Sequence, residues 1–149
     1  MSESIKITTK DICVALELGR HQLRSWTDTL APYARRETKE RSATRYDFGD
    51  LLFFATVKHI HDSLGISIQF ISRFSESLYT SIREPQDPDT TPYLFISINT
   101  CRCSRIIPEE VTREGILVDL QSPQAKVYKY LGISDQQQAQ LQLGLVKVN

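Results

Sequence analysis

The chain has 149 residues, 40% of them hydrophobic and 24% charged, and its 18 Lys and Arg balance 18 Asp and Glu to a formal net charge of zero. That length suits one ordinary domain or two small ones and allows a buried core, while three cysteines, an odd number, argue against a secreted disulfide framework. No run approaches the ~18 apolar residues needed to span a bilayer, and MSESIKITTK lacks the apolar stretch of a signal peptide, so no membrane association and a cytoplasmic location are expected.

In chain order, Thr8 to Trp26 predicts a helix-turn-helix. Thr8 can cap the first helix, with Asp11 three residues on to complete a capping box, and Ile12, Cys13 and Leu16 form its apolar side. A turn follows at Glu17, Leu18 and Gly19, where Leu18 is expected to plug the angle between two helices and Gly19 to relax the backbone. Apolar spacing resumes at Leu23 and Trp26, which leaves Arg20, His21, Gln22 and Arg24 on the polar face of the second helix. Residues at the start of such a helix reach base edges, where Arg pairs with guanine and Gln with adenine; residue types alone fit a solvated helix face equally well.

The stretch APYARRETKERSATRY carries Arg35, Arg36, Lys39, Arg41 and Arg45 against Glu37 and Glu40 and has almost no aliphatic residues, so it reads as a basic loop. It is either a phosphate-gripping wing or a mobile surface loop. Asp47 then caps a helix expected from Phe48 to about Leu64, with Asp50 in its first turn and Gly65 at its end. Ser67 caps the next, expected to run to about Ile82 and to bury Ile68, Phe70 or Ile71, Phe74 and Leu78. His59, His61 and Asp62 do not make a metal site, because side chains two apart on a helix diverge.

From Glu84 the composition shifts, three prolines and three acids falling within REPQDPDTTP, a linker or exposed loop. Strands are expected at Tyr93–Asn99 and Gly115–Leu120, with PEEVTRE between them as a short helix or turn. Ser122 and Pro123 suggest a helix start, Leu131 its end, and a Gln-rich helix is expected from about Asp135 to Leu143. Cys101 and Cys103 lack a second ligand pair and read as half-buried strand residues. The fold expected is α+β and mainly helical: residues 1–83 as four helices plus a basic wing, 84–92 as linker, and 93–149 as a small α/β oligomerisation or partner-binding region.

The N-terminal half, to about Tyr79, resembles the MerR family of winged helix-turn-helix DNA-binding proteins. The resemblance is carried by Thr8, Cys13, Glu17-Leu18-Gly19 and Leu23-Arg24-Ser25-Trp26, then by Arg45, Tyr46, Asp50 and Leu51, then by Gly65-Ile66-Ser67. Glu17 stands where the family has a turn glycine, Gly19 where it has a serine cap, and Ser25 where it has an aromatic residue. The resemblance implies that Arg20, His21, Gln22 and Arg24 lie in or beside a major groove with Trp26 partly packed at the helix base. It also implies that Arg35, Arg36, Lys39, Arg41 and Arg45 contact the phosphate backbone and that Tyr46 anchors the wing. The family's long dimerisation helix is forbidden here by the prolines after Glu84.

Charge agrees with this division. Residues 1–46 hold nine Lys and Arg against six acids, and residues 84–149 hold six against eight. The local field governs encounter with DNA more than the total does, and the modest excess implies weak binding by one copy and a homodimer or larger array. The expected function is therefore a sequence-specific double-stranded DNA-binding protein, a nucleoid-associated transcriptional regulator. Alternatives are an architectural role in recombination or segregation, and a protein-interaction adaptor that does not bind DNA. No glycine-rich phosphate loop, paired-carboxylate motif or Cys-His arrangement points to an enzyme, a cofactor or a metal.

Overall fold

The computed structural model describes residues 6–34, 45–86 and 89–132. Among them are seven α-helices and two small antiparallel sheets. The first helix, α1 (Thr9–Leu16), starts where expected: Thr8 Oγ1 accepts from the Asp11 N–H at 3.2 Å, and Asp11 Oδ2 accepts from the Thr8 N–H at 2.8 Å. It ends at Glu17, which holds the left-handed conformation with φ 55° and ψ 44°. This corrects the expectation for the turn. Gly19 is extended, with φ −75°, and a Cβ placed on it would meet nothing within 4 Å.

The turn therefore places its conformational cost on a glutamate. A left-handed non-glycine residue costs about 1–2 kcal/mol, and glycine returns part of that through the greater freedom of its unfolded chain. Glu17→Gly is expected to raise stability by about 0.5–1 kcal/mol, read as a higher denaturation midpoint at unchanged m. A lower midpoint would mean that contacts of the Glu17 side chain outweigh its backbone strain.

Helix α2 (Arg20–Thr29) follows, then the short α3 (Ala31–Ala34). Ala31–Ala34, expected to belong to the basic loop, are thus helical, and Tyr33 is drawn into the core. Its ring stacks on Phe54 at 4.6 Å between centroids, and its hydroxyl donates to Asp50 Oδ1 at 2.6 Å. The strands β1 (Ile7–Thr8) and β2 (Arg45–Tyr46) pair antiparallel, Ile7 opposite Tyr46 and Thr8 opposite Arg45. The two-residue period of a strand turns Ile7 and Tyr46 inward and leaves Thr8 and Arg45 exposed.

Helix α4 (Phe48–Leu64) is the centre of the fold. Asp47 and Asp50 form a second reciprocal capping box, at 2.8 and 2.9 Å, and Gly65 closes the helix with φ 69°. Every residue from Phe48 to Val57 except Gly49 is buried, as in a helix with neighbours on all sides. Those neighbours are α1, α5 (Ile68–Ser72), α6 (Ser75–Arg83) and α7 (Gln121–Leu131).

The helix expected from Ser67 to Ile82 is two helices, so the four expected before residue 84 are six. Ser67 does cap α5, accepting from the Phe70 N–H at 3.1 Å. At the break Ser75 Oγ donates to the Ser72 carbonyl at 2.9 Å and accepts from the Ala31 N–H at 3.2 Å. A buried hydroxyl that satisfies backbone groups in this way competes with the helical ladder. Phe74, with φ −118°, swings into the core.

A three-stranded sheet of order β4–β3–β5 carries β3 (Tyr93–Ser97) between β4 (Cys103–Arg105) and β5 (Gly115–Asp119), antiparallel on both sides. The half-buried strand expected at Cys101 and Cys103 is present only in part. Cys103 lies on β4, but Cys101 is in the preceding turn with φ 54°. The expected turn in PEEVTRE is a single 3-10 turn at Pro108–Glu110. Helix α7 begins one residue before Ser122, where Asp119 Oδ1 accepts from the Gln121 N–H at 2.9 Å. Pro123 is buried in its first turn, and Gly132, φ 66°, ends the helix after Leu131 as expected. The helix expected at 135–143 lies outside the described residues.

Both halves of the chain contribute to one core. Leu94, Ile96, Val118, Leu120, Val127 and Tyr128 join the cluster built on Phe53, Phe54 and Trp26, and Tyr128 stacks on Phe48 at 5.8 Å. No helix among the described residues is long and apolar enough to cross a membrane.

Candidate nucleic-acid interface

Two buried residues three apart decide what α2 shows to solvent. Leu23 and Trp26, each 2% exposed, hold one stripe of the helix against the core, so Arg20, His21, Gln22, Arg24 and Ser25 are exposed. Trp26 is more deeply packed than expected. Its ring meets His61 of α4 edge to face at 6.1 Å, and His61 Nδ1 lies 2.9 Å from the Ile66 carbonyl. The base of α2 is thereby fixed on the Gly65–Ser67 turn. His61 serves this packing, a role that its spacing from His59 and Asp62 could not reveal.

Neither Arg20 nor Arg24 forms an ion pair with an acid among the described residues. The first turn of α2 contains no acidic residue, and its Gly19 cap offers no side-chain oxygen to the leading N–H groups. Positive side chains and the positive end of the helix dipole therefore add at this end. The described parts of the second half, β3 to β5 and α7, leave the Arg20–Ser25 face uncovered.

Arg45 is exposed at the opposite end of α1. Its pairing with Thr8 sets it beside the α1 cap, with exposed Lys6 and Lys10 flanking the same position in the chain. Eight residues of α1 rise about 12 Å between this group and the turn that leads to Arg20. Lys6 and Lys10 entered the charge count of the sequence but carried no individual signal. The strand pairing that places them beside Arg45 joins residues almost 40 positions apart.

Tyr46, expected among the interface residues, is buried at 6% exposure and packs edge to face on Phe54 at 5.7 Å. Its ring anchors β2 to the core and does not reach the surface. Arg35, Arg36, Lys39 and Arg41 lie outside the described residues, between the end of α3 and the start of β2.

The thiols do not add chemistry to this surface. Burial, offset in part by a hydrogen bond with Ser77, pushes Cys103 up to about 12, so it remains protonated at neutral pH. Among the described residues no group of three His, Cys, Asp or Glu side chains is placed to hold a metal ion. No family model, no curated protein and no solved structure matches the chain.

Proposed function

We propose that this chain is a sequence-specific double-stranded DNA-binding protein of winged helix-turn-helix type, similar to the MerR family, and acts as a small transcriptional regulator. The observation that carries the reading is the exposed face Arg20, His21, Gln22 and Arg24, mounted on buried Leu23 and Trp26 and without an acidic partner among the described residues. In this reading α2 enters the major groove, and Arg45 with the arginines and lysine of the preceding loop grips the backbone. The rise of α1, about 12 Å, separates the Arg45 group from the turn that leads to Arg20, the order of a major-groove width. One copy presents few charges, so useful affinity comes from two copies on two half-sites.

The test is selection of bound fragments from random duplex DNA by the full chain at near-physiological salt, followed by stoichiometry on the winning sequence. A two-part consensus bound by two copies is expected. No enrichment over bulk DNA would overturn the reading. On the selected duplex, Arg45→Ala is expected to lower the slope of log affinity against log salt by about 0.9, the signature of one lost phosphate contact, while base preference stays unchanged.

A further inference from the structure

A cleft of about 460 Å³ opens where the end of α1 meets α4 and α7. The buried part of its lining is apolar, made by Leu16, Ala55 and Pro123, and forms its floor. Its rim is polar and mostly charged: Glu17 from α1, Lys58, His59 and Asp62 from α4, and Lys126 and Lys129 from α7. Lys58 is engaged by Asp62 one helical turn away, a partner that also lines the cleft. Lys126 and Lys129, three apart on one side of α7, have no ion-pair partner among the described residues.

A recess of this size, with an apolar base and a few cationic groups at its edge, has the build of a small-molecule site. We infer that it binds a small organic anion, one acidic group held by Lys126 and Lys129 and an apolar body seated on Leu16, Ala55 and Pro123. A nucleic-acid backbone fits it less well, because phosphates reaching the two lysines would leave the apolar floor unfilled. Two features connect the cleft to α2. Glu17, on its rim, is the left-handed residue of the turn that leads to Arg20, and Tyr130, also on its rim, donates from its hydroxyl to Asp11 Oδ1 at 3.2 Å in the cap of α1. An occupant therefore rests on the elements that hold α2 in place.

This inference goes beyond the DNA-binding reading and does not depend on it. Its test uses the full chain and 8-anilinonaphthalene-1-sulfonate, an aromatic anion whose fluorescence rises in apolar surroundings, with neutral Nile red as the uncharged control. Saturable binding of a single anilinonaphthalenesulfonate per natively folded chain is expected. Lys126→Glu with Lys129→Glu is expected to weaken it by at least about tenfold while leaving Nile red unaffected. Ser122→Trp, at an exposed lining position, is expected to block it by filling the cleft. Dye affinity indifferent to both changes would overturn the proposal. So would displacement of the dye by duplex DNA together with loss of duplex binding in the double-glutamate variant, which would assign the lysines to phosphate contact. Because the dye is read without DNA, failure here leaves the DNA reading intact, and failure of that reading leaves this one intact.

Discussion

Arg20→Glu combined with Arg24→Glu is expected to reduce affinity for the selected duplex by at least about 100-fold while leaving the thermal midpoint at or slightly above that of the parent, since a carboxylate in the first turn of α2 complements the helix dipole. A good bidentate base contact contributes roughly 1–3 kcal/mol, and two such losses reach the stated factor once each exceeds about 1.4 kcal/mol. Each glutamate also brings a negative charge to the phosphates, which adds repulsion that salt screens, so the deficit should shrink as salt rises. Stability is spared because both side chains are exposed and neither pairs with a described acid. The measurement is fluorescence anisotropy with labelled duplex, repeated on a scrambled one. Wild-type affinity in the double variant would remove α2 from the groove. Equal loss on selected and scrambled duplexes, with selectivity intact, would assign the two arginines to the backbone.

The second large effect concerns the joint that holds α4 under β2 and α6. Arg83, at the end of α6, donates from Nη1 to Asp47 Oδ1 at 2.7 Å and from Nη2 to Asp47 Oδ2, and Nη1 lies 3.6 Å from Asp50 Oδ1. Asp50 also accepts the Tyr33 hydroxyl, so one cation serves two carboxylates that cap α4 and anchor α3. Burial alone would raise the Asp47 carboxyl, but hydrogen bonds from Arg83 and from the Asp50 N–H outweigh it and hold that group below the usual carboxylate range. Asp50 is pushed above that range, first by burial and then by the charge of Asp47, against the stabilising bond from Tyr33. The approach is close: a Cβ on Gly49 would lie 2.4 Å from the Arg83 guanidinium.

Arg83→Met is accordingly expected to destabilise by about 2–4 kcal/mol at neutral pH, since it leaves two neighbouring carboxylates partly buried without their counter-ion. The pH dependence follows from the signs. With Asp47 held low in the folded state, its contribution is present in full above the ordinary carboxylate range and is lost as pH falls through its folded value. Without Arg83 the carboxylates take up protons more readily on folding. The gap between variant and parent should therefore narrow from pH 7 towards pH 4. Adding Asp47→Asn to Arg83→Met should recover part of the loss, a coupling that urea unfolding of the double-mutant cycle measures. A gap independent of pH would attribute the effect to packing of the arginine over Tyr79, 4.9 Å from the ring centroid, and not to the carboxylates.

Much of the helical frame was legible because its determinants lie within a few residues of each other. Thr8 with Asp11, Asp47 with Asp50, Gly65, Gly132 and the Leu23–Trp26 spacing each act across one turn of chain, and each stands where expected. The polar face of α2 follows from the same short-range geometry, since two buried anchors leave the remaining residues outside. The misreadings share another cause. Gly19 was credited with the turn because glycine tolerates positive φ most readily, yet α1 stops with Glu17 as its left-handed C-cap, the N–H groups of Glu17 and Leu18 both reaching the Cys13 carbonyl. Ser67 to Ile82 has unbroken apolar spacing, and only the hydrogen bond from Ala31 to Ser75, 44 residues distant, shows why the helix divides.

By itself, then, the sequence determined where α1, α2 and α4 start, where α4 and α7 stop, which side of α2 is apolar, and that the cationic residues of α2 face outward. Tertiary structure alone decided that β1 pairs with β2 and brings Arg45 beside Thr8, that β4 completes a sheet, and that α7 returns to cover α4 and open a lysine-rimmed cleft. The division is physical. Caps and helical spacing are satisfied by neighbours along the chain, whereas strand register and helix packing depend on which distant apolar surfaces meet, and many sequences with the same local pattern could meet differently.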